Sequence, residues 1–175
     1  MQKQYKQITP LPTTQKAALY SRQASSHEQT MAKDLRELNT KLLVKFAHEA
    51  GWTDDNLLIF NDTGIAASTP LEKREGLIQL ITAIERDEVK TVLLNAEYSL
   101  FRDANIEDLS FFIELCRQHR VWVITPTQVY DFQNPLHVRL FRFVLEAGSF
   151  MTYARTTLAK RFKATRRPAA KQGKE

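Results

Sequence analysis

The strongest constraint in this chain is an alternation. Four short runs of nearly continuous apolar residues occur at Ala17–Tyr20, Leu57–Phe60, Thr91–Ala96 and Val121–Thr125. Between them lie stretches whose apolar residues recur at steps of three and four. A run apolar at every position belongs to a strand buried on both faces, whereas steps of three and four belong to an amphipathic helix. Strands and helices in strict alternation predict an α/β fold: a doubly wound, mainly parallel sheet of four to five strands with helices on both faces. Val129–Phe132 is expected to add a short edge strand. In such a sheet the functional crevice opens at the carboxyl ends of the strands.

The helices are marked by their ends. Ser25 or Ser26 offers an N-cap, with Glu28 and Gln29 at capping-box spacing. Met31, Leu35, Leu38, Leu42, Phe46 and Ala50 then make the expected inner stripe, and Gly51 ends it. A second helix is expected over Leu71–Arg86, with Leu77, Ile78, Ile81 and Ile84 inward. A third is capped by Asn105 and carries Ile106, Leu109, Ile113 and Cys116 on its inner face. Asn134-Pro135 is a strong start for a fourth, through Leu136, Leu140, Phe141, Val144 and Leu145. That helix is expected to resume after Gly148 through Met151, Leu158 and Phe162. Its aromatic content exceeds what seals one small sheet, which predicts a self-association face with Phe141, Val144, Leu145 and Met151 as contacts, a simple core helix being the alternative. Trp52 and Trp122 read as core or rim residues, and Tyr130 and His137 as structural.

These boundaries divide the 175 residues into a loose arm at 1–15, a sheet domain at 16–133, a long helix at 134–165 and a basic tail at 166–175. No run of about 18 apolar residues is present to span a membrane. Met1 to Lys16 has no apolar segment of the kind a secretion signal needs. The single cysteine, Cys116, has no internal disulfide partner and fits a reducing, cytoplasmic setting. Four scattered histidines and one cysteine make no metal-ligand spacing. The net charge of +5 is concentrated near the end. Arg155, Lys160, Arg161, Lys163, Arg166, Arg167, Lys171 and Lys174 follow one another with no acid until Glu175. Such an end attracts a polyanion, because each neutralised phosphate releases counterions. DNA, bound weakly and without sequence preference, is the expected partner.

The loops after the strands carry a resemblance. Tyr20-Ser21-Arg22-Gln23-Ala24-Ser25 is similar to the Tyr-x-Arg-x-Ser signature of serine site-specific recombinases, the resolvase/invertase family. Asp62-Thr63-Gly64 resembles that family's Asp-x-Gly loop, and Arg74-Glu75-Gly76-Leu77 its Arg-x-Gly-hydrophobic helix start. Tyr98-Ser99-Leu100-Phe101-Arg102 falls where the family has Asp-Arg-Leu-x-Arg. Val121–Ile124 and Tyr130-Asp131 match its late strand and loop, so the resemblance spans about residues 17–165. It implies a catalytic domain in which a serine attacks a DNA phosphate and stays joined to the DNA end. The charge that builds on the phosphoryl oxygens calls for clustered guanidiniums, which fork onto two oxygens at once. The covalent intermediate conserves the bond for religation, so no cofactor and no metal are expected.

The departures lie in three loops. The nucleophile position, two residues after Arg22, holds Ala24. Ser25 is the neighbouring hydroxyl, but one step along an extended strand end turns a side chain to the other face, so Ser25 reads better as a helix cap. Tyr98 and Ser99 stand where the family has Asp and its first Arg, and Ala66-Ala67 where it has Ser-Gly. Arg22, Arg74 and Arg102 remain as candidate phosphate contacts, beside the basic residues from Arg155 to Arg167. On a bland reading Arg74 pairs with Glu72 or Glu75, and Arg102 with Asp103 or Glu97. Three functions follow. The first is a cleavage-incompetent relative that pairs with, or regulates, an active recombinase of a mobile element. The second is an active recombinase using Ser25. The third is a dimerisation module with no DNA role. Ending soon after the long helix, the chain is expected to lack a separate DNA-reading domain.

Overall fold

The computed structural model describes residues 11–24, 29–66, 68–101 and 106–165; side chains at 25–36, 149, 151–153, 155–156 and 158–165 fall outside that description. In chain order the elements are β1 (Ala17–Gln23), α1 (Gln29–Ala50), β2 (Leu57–Thr63), α2 (Glu75–Glu85), β3 (Thr91–Leu94), α3 (Ile106–His119), β4 (Trp122–Ile124), β5 (Val129–Asp131) and α4 (Pro135–Thr165). The sheet order is β2-β1-β3-β4-β5. The first four strands are parallel and β5 runs antiparallel to β4. This is the doubly wound, mainly parallel sheet that the alternation predicts.

Strand parity sorts the core into two layers. Ala18, Tyr20, Val92, Leu94, Val123 and Tyr130 face α2, α3 and the root of α4. Ala17, Leu19, Leu93, Ile124 and Val129 face Leu43 and Ala47 of α1, together with Trp52. Residues 11–15, expected in a loose arm, are fastened here. Leu11 packs on this layer, and the Trp52 indole donates to the Gln15 carbonyl at 3.0 Å.

Several boundaries moved, each for a physical reason. β1 runs three residues past its apolar stretch, because Ser21, Arg22 and Gln23 stay in register with Asn61, Asp62 and Thr63 of β2. Apolarity reports burial, whereas backbone pairing sets strand length. The helix expected over Leu71–Arg86 is split into a 3₁₀ turn, Leu71–Lys73, and α2, because Arg74 adopts φ −111° and ψ 84° between them. Among the described side chains of α1, Leu43 and Ala47 are buried, Phe46 and Ala50 pack partly buried on the same layer as expected, and Leu38 and Leu42 are half exposed. Two stripes one residue apart share the same periodicity, and the one containing the small Ala47 is the one laid on the sheet. Ile78 and Ile106, expected inward, are also exposed, and Leu80 and Phe112 are buried instead.

The amino end of α4 forms as expected, with Asn134 Oδ1 accepting the Leu136 N–H at 3.0 Å. The expected contact residues Phe141 and Leu145 require correction, since both are buried in the chain's own core. The Phe141 ring lies 4.9 Å from Tyr130 and 5.3 Å from Phe132, both edge-on. The outward side of α4 instead carries Leu136, Leu140, Phe143 and Phe150. Val144 is partly buried, and the Met151 side chain lies outside the described residues. Gly148 does not interrupt α4, which is continuous to Thr165.

Candidate active-site crevice

Neighbouring strands β1 and β3 send their chains to opposite sides of the sheet order, so the crevice opens at their carboxyl ends. Arg22, the penultimate residue of β1, is partly exposed there. Its guanidinium donates from Nη1 to the Ile65 carbonyl at 3.0 Å, from Nε to Ser99 at 3.3 Å and from Nη2 to Tyr98 at 3.4 Å. It thereby ties the loop after β2 to the turn after β3. Ala24 follows β1 at once and is exposed.

Behind Arg22 is a buried polar network. Asp62, 2% exposed, accepts the Gly76 and Leu77 N–H groups at 2.7 and 3.2 Å and so caps α2 from the neighbouring strand. A carboxylate at a helix amino end meets both the free N–H groups and the positive end of the helix dipole. The same carboxylate accepts the Tyr20 hydroxyl at 2.7 Å. Burial raises the Tyr20 phenol above its usual range, with the Arg74 charge opposing and the Asp62 bond reinforcing, so the hydroxyl keeps its proton. The Arg-x-Gly spacing acquires a reason here. A Cβ on Gly76 would lie 2.5 Å from the Asn61 carbonyl oxygen, so only glycine lets α2 approach β2 this closely.

Arg74 is 1% exposed. Its Nη2 donates to the Tyr20 hydroxyl at 2.6 Å and to the Ser99 carbonyl at 3.3 Å, and its Nη1 to the Leu100 carbonyl at 2.5 Å. Nε lies 3.6 Å from Asp62 Oδ2, a charge contact too long for a hydrogen bond. Its ion-pair partner is therefore Asp62, and not Glu72 or Glu75 on the helix surface. Nor is Arg74 open to a phosphate in this arrangement.

Ser99, which the resemblance leads one to expect at an arginine position, is buried at 8% exposure, whereas Tyr98 is 55% exposed at the crevice mouth. Glu97, with no motif to single it out, is buried beside them. It accepts the Tyr130 hydroxyl at 2.6 Å and the Thr125 hydroxyl at 3.4 Å. Burial, then the bond to Glu97, pushes the Tyr130 phenol up as well. Tyr20 and Asp62 had a signal in the sequence, as members of motifs. Glu97 had only the oddity of an acid after a buried strand. Ser25, Arg102, Arg166 and Arg167 lie outside the described residues, as do the side chains of Arg155, Lys160, Arg161 and Lys163. No group of three or more metal-ligating side chains occurs among the described residues. Nor is any helix of the described residues long and apolar enough to cross a membrane.

The family model for the resolvase N-terminal domain matches residues 17–175. The chain belongs to this family. The resolvase-type sheet also superposes on solved structures. The N-terminal catalytic domain of TP901-1 integrase has 18% identity and a TM-score of 0.58, over 81% of this chain and 99% of that one. A resolvase family site-specific recombinase from Streptococcus pneumoniae has 19% identity and a TM-score of 0.54, over 86% and 99%. At such identities the likeness establishes the shared fold. Comparison with curated proteins gives no match. The serine-recombinase resemblance read from four loop motifs is thereby borne out at the level of the family, and the chain is a recombinase-family domain.

Proposed function

We propose that this resolvase-type domain associates with DNA without cutting it and serves as a partner or regulator in DNA recombination. The observation that carries the reading is Ala24. It is exposed just after β1, two residues after Arg22, where the family resemblance puts the nucleophile, and it has no hydroxyl to attack phosphorus. Ser99 compounds the loss. It replaces a charged donor, and removal of one such donor from a site of developing negative charge costs about two orders of magnitude or more in rate. The partly exposed edge of Arg22 keeps an affinity for phosphate at the crevice, and the basic residues from Arg155 to Lys174 supply most of the DNA attraction.

Association with a second copy, or with an active relative, takes place through α4. Leu136, Leu140, Phe143 and Phe150 recur at steps of four, three and seven on its outward side. A stripe of that spacing is what two helices bury against each other.

The test is incubation with nicked suicide substrates followed by denaturing electrophoresis. The unmodified protein is expected to give no covalent adduct, and Ala24→Ser alone very little, because the electrostatic part of the site remains deficient. Ala24→Ser with Ser99→Arg is expected to exceed the sum of the single changes. An adduct from the unmodified chain that disappears in Ser25→Ala sinks the reading and makes Ser25 the nucleophile.

A further inference from the structure

The turn Tyr98-Ser99-Leu100 stands between two arginines of the crevice, Arg22 and Arg74. Arg22 approaches its carbonyls from the crevice side, through Ser99 at 3.3 Å and Tyr98 at 3.4 Å. Arg74 approaches from the buried side, through Ser99 at 3.3 Å and Leu100 at 2.5 Å. The Ser99 carbonyl is shared by both guanidiniums. The Arg74 guanidinium is enclosed, and only its Nε lacks a hydrogen-bond partner. The Tyr20 and Phe101 rings lie 5.9 and 5.7 Å from its central carbon, the Tyr20 hydroxyl takes one N–H, and Asp62 balances its charge at 3.6 Å. A phosphate entering the crevice meets Arg22 and then this wall of carbonyls.

We propose that Arg74 is a positioning residue that never touches DNA: the Tyr98–Leu100 turn is its resident ligand, held where a phosphate would otherwise sit. A planar fork suits this task, because it reaches two successive carbonyls and the Tyr20 hydroxyl together, which a lysine ammonium on its single point cannot do. The turn so held is the surface on which Arg22 lies, and Arg22 is the phosphate contact assumed in the preceding section. The assignment deepens that reading by limiting the phosphate contacts among the described crevice arginines to Arg22.

The experiment compares wild type with Arg74→Lys, which keeps the charge and loses the fork. Two quantities are read: amide hydrogen exchange, and the salt dependence of duplex DNA binding. The Ser99 and Leu100 amides, which donate to Ala96 and Glu97 at 3.0 and 3.1 Å, report on the turn. Their protection is expected to fall at least tenfold while β1 and β3 stay within threefold of wild type. The log–log salt slope is read in Arg74→Gln, which removes the charge, and is expected to remain unchanged. A slope lower by about one unit, the mark of a lost phosphate contact, overturns the assignment. Unchanged protection in the turn overturns it equally. Tyr20→Phe removes one acceptor from Arg74 without altering any charge. It is expected to loosen the same two amides at least threefold, and it decides the matter should Arg74→Lys fail to fold. Wild-type protein that ignores DNA at every salt concentration defeats the preceding reading alone, because the exchange measurement needs no DNA.

Discussion

The two ends of the sheet use charge in opposite ways. At the carboxyl end, the side chains of Asp62 and Arg74 are each 1% exposed, 3.6 Å apart, and joined to Tyr20, two backbone amides and two carbonyls. At the amino end, Asp87 meets Lys90 at 2.5 Å and His119 at 3.1 Å with its carboxylate in water. By distance alone the second cluster is the tighter. Distance is not what decides the energetics, however. Exposed pairs are screened and contribute little, whereas a buried pair is costly to break because its survivor is left charged and dry.

The largest expected effect is therefore Asp62→Ala. It strands the Arg74 guanidinium and frees two N–H groups of α2, and is expected to cost about 3–5 kcal/mol. The urea midpoint should fall accordingly, and a loss below about 1 kcal/mol would erase the contrast between the two ends.

A second test sharpens the comparison through pH. Tyr20 and Tyr130 are buried and their phenols are raised above the ordinary value of 10.0. The unfolded chain then releases these protons first. Their contribution is complete below pH 10 and is lost as pH rises beyond it, by up to about 1.4 kcal/mol per unit for each phenol. Alkaline titration should show tyrosinate absorbance appearing together with unfolding, and ionisation of both phenols in a folded protein would contradict the burial. The exposed carboxylates act in the other direction. Hydrogen bonds from Arg117, then Gln118, lower Glu114 from 4.5 to about 2, and Lys90 and His119 lower Asp87. These contributions are present at neutral pH and fade as pH falls through that range.

The smallest effect is expected at the exposed end itself. Asp87→Asn at neutral pH should leave the denaturation midpoint within the scatter of repeated measurements. A clear downward shift that vanishes in high salt would show that this cluster carries more than its exposure implies.

Periodicity alone made the architecture legible. Four apolar runs between amphipathic stretches admit few topologies other than a doubly wound sheet, although the edge strand β2 is covered only in part and leaves Ile59 exposed. Asn134-Pro135 marked the start of α4 for an equally local reason. Gly51 marked the end of α1, which closes at φ +108° with the Trp52 N–H returned to the Ala47 carbonyl at 3.0 Å. The same closure recurs after α2 and α3 at Asp87 and Arg120, with φ 56° and 53°, where no glycine announces it. The motif residues were legible as a family signature, but their tasks were not. Whether Arg74 opens to a phosphate or turns inward depends on Asp62, Tyr20 and the 98–100 carbonyls, which come from three other places in the chain. The same limit applied to helix faces. Leu42 and Leu43 satisfy one periodicity, as do Leu140 and Phe141, and hydrophobicity cannot rank two adjacent large apolar residues. Only the approach of Ala47 to the sheet, and the aromatic pocket of Tyr130 and Phe132, decided which residue of each pair was buried and which was left outside.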